Sequence, residues 1–226
     1  MPRAFFGRFK CEFRRFTGGK SRNLYVEDAG KGTGKVLPEF LEVPYHGSYA
    51  KVEHVDLSLC SDGKDFGKGF YMTSSLPQAR DFISTSLLKA KSFGRIPENQ
   101  NYGYVSVFRF HAKTSVPVYE FSESATQWLW FISQNRRKKL AAALSPHIDA
   151  QICKAEIITG KVANDKTNPV ITAYLNGLYG DITSERAIRF AIEELMPEHL
   201  NDQICFLSKS AVTCLEFIGA EKYVVK

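Results

Sequence analysis

The chain has 226 residues and a mass of 25.5 kDa, and 44% hydrophobic against 24% charged residues mark a folded domain with a sizeable core rather than a disordered chain. The formal charge of +6 sits in residues 1–22, which hold seven Lys or Arg and one Glu, so the remainder is balanced and a uniformly basic nucleic-acid-binding surface is excluded. No apolar run approaches the ~18–20 residues of a membrane span, and no secretory h-region is expected. Five scattered cysteines without a CxxC pair argue for reduced thiols, mostly packed in strands, in a cytoplasmic protein without structural metal.

Residues 1–40 read as an N-terminal extension: a basic Phe/Arg-rich arm followed by a glycine-rich linker. Phe5, Phe9, Phe13 and Phe16 fall on a helical stripe, while Phe9, Cys11 and Phe13 also fit a strand. The arm can be an extension, disordered or packed on the domain, a contact for nucleic acid, membrane surface or acidic partner, or a targeting segment. Gly30, Gly32, Gly34 and Lys35 lack Walker spacing, and Pro38 follows too soon for a phosphate loop.

Residues 41–226 read as one α+β domain with a largely antiparallel sheet, because strands and helices mix without a βαβα rhythm. A strand is expected over Leu41–His46. Pro77 then opens a helix turning Ala79, Phe82, Ile83 and Leu87 inward. Val105–Phe110 alternates as a half-buried strand, and Val116–Phe121 as an edge strand interrupted by Pro117. A long helix is predicted over Ser124–Leu144, with Trp128 and Ile132 in the core and Arg136–Lys139 on a solvated face. Ala155–Thr159 reads as a strand. Asn168-Pro169 and Thr183 or Ser184 start two further helices, the second with Ala187, Ile188, Ala191, Ile192 and Leu195 on one face. Gln203–Leu207 and Thr213–Ile218 close the chain as strands.

Two segments stand out chemically. Tyr45-His46-Gly47-Ser48 sets an imidazole beside an unobstructed peptide group. Asp65-Phe66-Gly67-Lys68-Gly69-Phe70-Tyr71-Met72-Thr73 sets two glycines before an aromatic pair. Each alone fits an ordinary hairpin turn. In this order, about 25 residues apart, they resemble the first two motifs of the ADP-ribosyltransferase superfamily of the poly(ADP-ribose) polymerase type, His-Gly-Ser and Gly-Lys-Gly-aromatic-Tyr. The chain is similar, more closely, to the bacterial family named domain of unknown function 3990. The residues that carry this are Tyr45–Ser48, Asp65–Thr73, Trp128–Phe131 with Asn135-Arg136, Ala163–Asp165 and Gln203–Phe206.

The resemblance implies a split antiparallel β-sheet core with flanking helices, and NAD as substrate with no metal. His46 would bond the ribose hydroxyls, the Gly47 backbone the nicotinamide carboxamide, and Tyr71 would stack on the ring. Phe82 falls where a second aromatic often stands. Ser48, Phe66, Gly67, Gly69 and Thr73 complete the two motifs, and Asn135 and Arg136 either cap their helix or meet the phosphates. The superfamily's late glutamate is matched by Gln203, with Asp202 the alternative if the register shifts by one. Glutamine cannot act as a general base, so Glu120, Glu123, Glu156 and Asp165 stand as candidate bases. The expected function is mono-ADP-ribosylation of a protein or nucleic-acid acceptor by a toxin or phage-defence effector held by a small antitoxin-like partner. A non-catalytic or hydrolytic NAD-binding module, and a nucleic-acid-directed transferase or RNA phosphate-processing relative, are the alternatives.

Overall fold

A computed structural model describes residues 43–122, 126–162, 167–195 and 200–225; the arm, Glu123 and Ala163–Asp165 lie outside them. In chain order the elements are β1 (Tyr45–Ser48), β2 (Phe70–Met72), α1 (Leu76–Ser92), β3 (Tyr102–Phe110), β4 (Val118–Glu120), α2 (Thr126–Arg136), α3 (Ala141–Leu144), α4 (Ala150–Lys154), β5 (Ile157–Lys161), α5 (Asn168–Leu175), α6 (Glu185–Leu195), β6 (Asp202–Phe206), α7 (Lys209–Val212) and β7 (Leu215–Val224). The fold is α+β with two sheets.

One sheet has the order β1-β3-β7 and is antiparallel throughout; the other has the order β2-β6-β5-β4. The β4–β5 pair is parallel, a departure from the otherwise antiparallel pattern, and the chain between them, which holds α2, α3 and α4, supplies the crossover. Among the described residues the sheets are joined by one backbone bridge, where Tyr45 N–H donates to the Thr73 carbonyl at 2.8 Å and Thr73 N–H returns to Tyr45 at 3.0 Å. Beyond that bridge β1 and β2 form no ladder.

Strand alternation sorts the core into three parts. Ala79, Ile83 and Leu87 of α1 cover Val105 on the first sheet. Phe70, Met72, Ile157, Ile204 and Phe206 of the second sheet meet Phe108 of the first. Their neighbours Ile158 and Cys205 turn to the opposite face, against Trp128, Ile132, Tyr174, Ala187 and Ala191 of α2, α5 and α6. Trp128 and Ile132 are fully buried, as their helical spacing predicts.

Several elements differ from expectation. Phe82 is exposed at 48% rather than inward: α1 buries Ala79, Ile83, Leu87 and Ala90, and Phe82 lies beside that stripe. The single helix expected over 124–144 stops at Arg136, followed by a short 3-10 turn at Lys138–Leu140 and then α3. Where the helix ends, Arg136 and Arg137 bond groups outside it, Asp65 and Asn176. Of the strand expected over Leu41–His46, residues 41–42 lie outside the described residues; β1 starts after Pro44, which has no N–H to pair, and runs on to Ser48. The last strand runs to Val224 along the whole of β3, with a register shift between Val107 and Phe108. Thr167 rather than Asn168 takes the cap position of α5, whereas Ser184 caps α6 as expected, its hydroxyl accepting from Ala187 N–H. Among the described cysteines, Cys205 is in a strand; Cys60, Cys153 and Cys214 are not.

Candidate functional site

The divergence of β1 from β2 leaves unpaired backbone that a continuous sheet would consume. Along β1 the peptide groups alternate: the Pro44 carbonyl accepts from Phe108 of β3 at 3.1 Å, and Tyr45 bonds across to Thr73. The same alternation turns the N–H and C=O of Gly47 away from β3, into the split. Across it, Tyr71 presents its carbonyl, and His46 Nδ1 bonds that oxygen at 2.8 Å. A carbonyl only accepts, so Nδ1 carries the proton and Nε2 is the acceptor. Desolvation, only partly opposed by the hydrogen bond to Tyr71, lowers the pKa of His46, which keeps the ring neutral at pH 7. Its ring lies 4.5 Å from that of Phe70.

The motif glycines answer intramolecular demands. A Cβ on Gly47 would stand 1.8 Å from the Ala79 carbonyl oxygen, so α1 rests directly on this peptide. Gly67 has φ +93°, a conformation that favours glycine. A Cβ on Gly69 would meet Cys205 Sγ at 2.5 Å. Ser48 is buried, with Ala50 N–H 3.5 Å from its hydroxyl.

Tyr71 secures the loop before it. Its phenol donates to the Gly67 carbonyl at 2.8 Å and accepts from Phe66 N–H at 2.9 Å. Burial pushes the phenol well above its ordinary pKa, so it is no acid or base near pH 7. The Phe66 ring is core, packed on Phe121 and Phe131.

Behind Tyr71 lies a buried polar network that the sequence reading missed in its central member, Asp65. Asp65 is 7% exposed. Arg136 bonds its Oδ1 through Nε at 2.8 Å and ion-pairs with it through Nη2 at 2.8 Å. Asn135 Nδ2 donates to the Asp65 carbonyl at 3.0 Å. Gln203 Nε2 donates to Asp65 Oδ2 at 3.1 Å and to the Lys161 carbonyl at 3.2 Å; Trp128 Nε1 donates to that same carbonyl at 3.0 Å. Arg136 also reaches Asn168 at 3.2 Å. The available signal was an Asp beginning the second motif and an Asn-Arg pair ending a Trp-rich helix.

Asp202, one residue from Gln203, serves a different purpose. Ser74 donates to its Oδ2 at 2.6 Å, and the Thr73 hydroxyl lies 3.0 Å from its Oδ1. Its backbone carbonyl accepts from Gln78 Nε2 at 3.0 Å, so Asp202 binds the turn that starts α1. Among the candidate bases, Glu120 is exposed at the end of β4, and Glu156 accepts from Ser208 and Ser210, which hold its pKa down. Glu123 and Asp165 lie outside the described residues.

His46, Gly47 and Tyr71 thus line the split, and Gln203 stands on the adjoining strand, on the same face as Tyr71 by the pairing of Tyr71 with Cys205. Asn135, Arg136 and Gln203 are joined through Asp65. Phe82 is not among the residues joined in this way.

A family model described as a protein of unknown function (DUF3990) matches residues 43–217, well over half of the chain. The chain belongs to the DUF3990 family. No curated protein and no solved structure matches it. The matched span of this DUF3990 chain contains every residue of the split and the network. Among its described residues no helix is long and apolar enough to cross a membrane, and no three His, Cys, Asp or Glu side chains cluster as metal ligands.

Proposed function

We propose that this chain is an NAD-dependent mono-ADP-ribosyltransferase acting on a macromolecular acceptor, with an ADP-ribosyltransferase-like split sheet whose cleft is the NAD site. The observation that carries the reading is the split itself. A neutral imidazole with Nε2 free to accept stands beside a glycine peptide whose N–H and C=O point the same way. A primary carboxamide needs one donor and one acceptor side by side, and a ribose hydroxyl needs an acceptor. Nicotinamide riboside offers both at adjacent positions.

The chemistry follows from that placement. The C1′–N bond breaks with its electron pair going to the cationic nicotinamide, which leaves neutral. The acceptor nucleophile forms the new bond to C1′, and its proton passes to solvent. Because the leaving group is already activated by its charge, holding the ribose and stabilising the cationic transition state supply most of the catalysis. Gln203 is the ribose partner on β6. Its lack of charge argues against chain elongation and for a single transfer, with hydrolysis of NAD the second reading. A toxin or phage-defence role with an antitoxin-like partner extends the same proposal.

Incubating purified protein and NAD labelled on its adenylate phosphate with a bacterial lysate tests the transfer. Label should appear in a macromolecular band, removable by protease or by nuclease, and be absent with His46→Ala. Label that stays wholly in free ADP-ribose would replace transfer with hydrolysis.

A further inference from the structure

We infer that Asp65 is a positioning residue that fixes the amide of Gln203, so that this uncharged side chain presents only an acceptor, as a glutamate would. The inference rests on the NAD reading above and assigns a role that the motif resemblance does not supply.

The geometry leaves one orientation for the amide. Both groups facing its Nε2, the Asp65 carboxylate and the Lys161 carbonyl, are acceptors only. Flipping the amide would set Oε1 against two oxygens, one of them on the carboxylate that ion-pairs with Arg136 at 2.8 Å. The two N–H groups are therefore consumed inside the protein. Oε1 is what remains, and among the described residues nothing donates to it. A glutamine free in solution donates and accepts equally; this one is committed to accept. The substrate group it suits is a hydroxyl, the chemistry of a ribose, and a carbonyl or phosphate oxygen is rejected.

The same arrangement reverses the naive expectation for Gln203→Glu. A carboxylate at this position faces the Asp65 carboxylate across a gap that now holds a 3.1 Å hydrogen bond, with no donor between them. The substitution that would restore the superfamily's glutamate should therefore damage the protein. Asp65→Asn should also damage it: Arg136 claims the single oxygen of the new amide, which turns the amide NH₂ toward the NH₂ of Gln203. Combined, the two changes restore the link between the two side chains, because the amide introduced by Asp65→Asn donates to the carboxylate introduced by Gln203→Glu; the Lys161 carbonyl keeps its bond from Trp128 but now faces an oxygen, so the rescue is partial.

The test is a four-protein cycle: wild type, Asp65→Asn, Gln203→Glu and the double variant. Each is assayed for kcat and KM of nicotinamide release from NAD and for its thermal midpoint. Each single variant should lose about ten-fold or more in kcat, the scale of a lost buried hydrogen bond, and the double variant should recover part of it. Thermal midpoints should fall in both singles and rise again in the double. Gln203→Glu at or above wild-type kcat overturns the inference, as does a double variant no better than the worse single. If the wild type releases no nicotinamide, the NAD reading fails, and the midpoints alone decide the pairing: restoration in the double supports it and additive losses overturn it.

Discussion

Arg136→Ala is expected to lower the stability of the chain by about 3–5 kcal/mol, the range for removing one partner of a buried ion pair. Asp65 keeps 8% and Arg136 19% of their side-chain surface, and the Nη2–Oδ1 distance is 2.8 Å. Deleting the guanidinium leaves a buried carboxylate without the cation that bonds it at 2.8 Å. The loss should propagate, since Asp65 links the Gly67 loop, the end of α2 and the β6 glutamine. Lys138→Ala is the comparison: its bridge to Asp62 spans 3.3 Å between side chains 75% and 64% exposed, and such pairs contribute less than about 1 kcal/mol. Urea denaturation of both variants measures the difference in midpoint at constant slope. Equal, small shifts would mean that the Arg136–Asp65 pair does not hold the loop.

Gly47→Ala is the second large effect, at about 3 kcal/mol or more, the upper end for overpacking. The added methyl would stand 1.8 Å from the Ala79 carbonyl oxygen and 2.8 Å from the carbonyl carbon, and both belong to helix backbone that no rotamer change can move. α1 must lift away from β1, which also carries His46. Gly219→Ala on β7 is a matched control, because no atom lies within 4 Å of its added Cβ, and it should shift stability by no more than about 0.5 kcal/mol. A midpoint for Gly47→Ala equal to that of the control would show that α1 does not rest on the strand.

What was legible in the sequence divides along a physical line. Periodicity found the buried faces of α1, α2 and α6 because helix burial repeats over several turns; Ala79, Ile83, Trp128, Ile132, Ala187 and Ala191 are all buried. It failed at Phe82, which its i, i+3 spacing from Ala79 assigned to the inward face and which lies at the edge of the stripe, 48% exposed. The extension of β7 through Gly219, Ala220, Glu221 and Lys222 was not visible, because pairing with β3 rather than local propensity makes those residues extended. In the candidate site, the histidine and tyrosine stood out by spacing. Asp65 did not: its importance comes from Arg136 and Gln203, 71 and 138 residues away, and a buried ion pair leaves no periodic trace. Gly47 was read as room for a ligand, and the space its missing Cβ leaves is taken by the Ala79 carbonyl of α1.

The central claim is that the split between β1 and β2 cleaves NAD, and nicotinamide release by the purified chain tests it most directly. The expected result is time-dependent release that falls about 100-fold or more in His46→Ala, as for loss of an oriented transition-state contact, with thermal midpoints showing that the variant is folded. Release from wild type that His46→Ala leaves unchanged, or no release by a folded wild type, would contradict it.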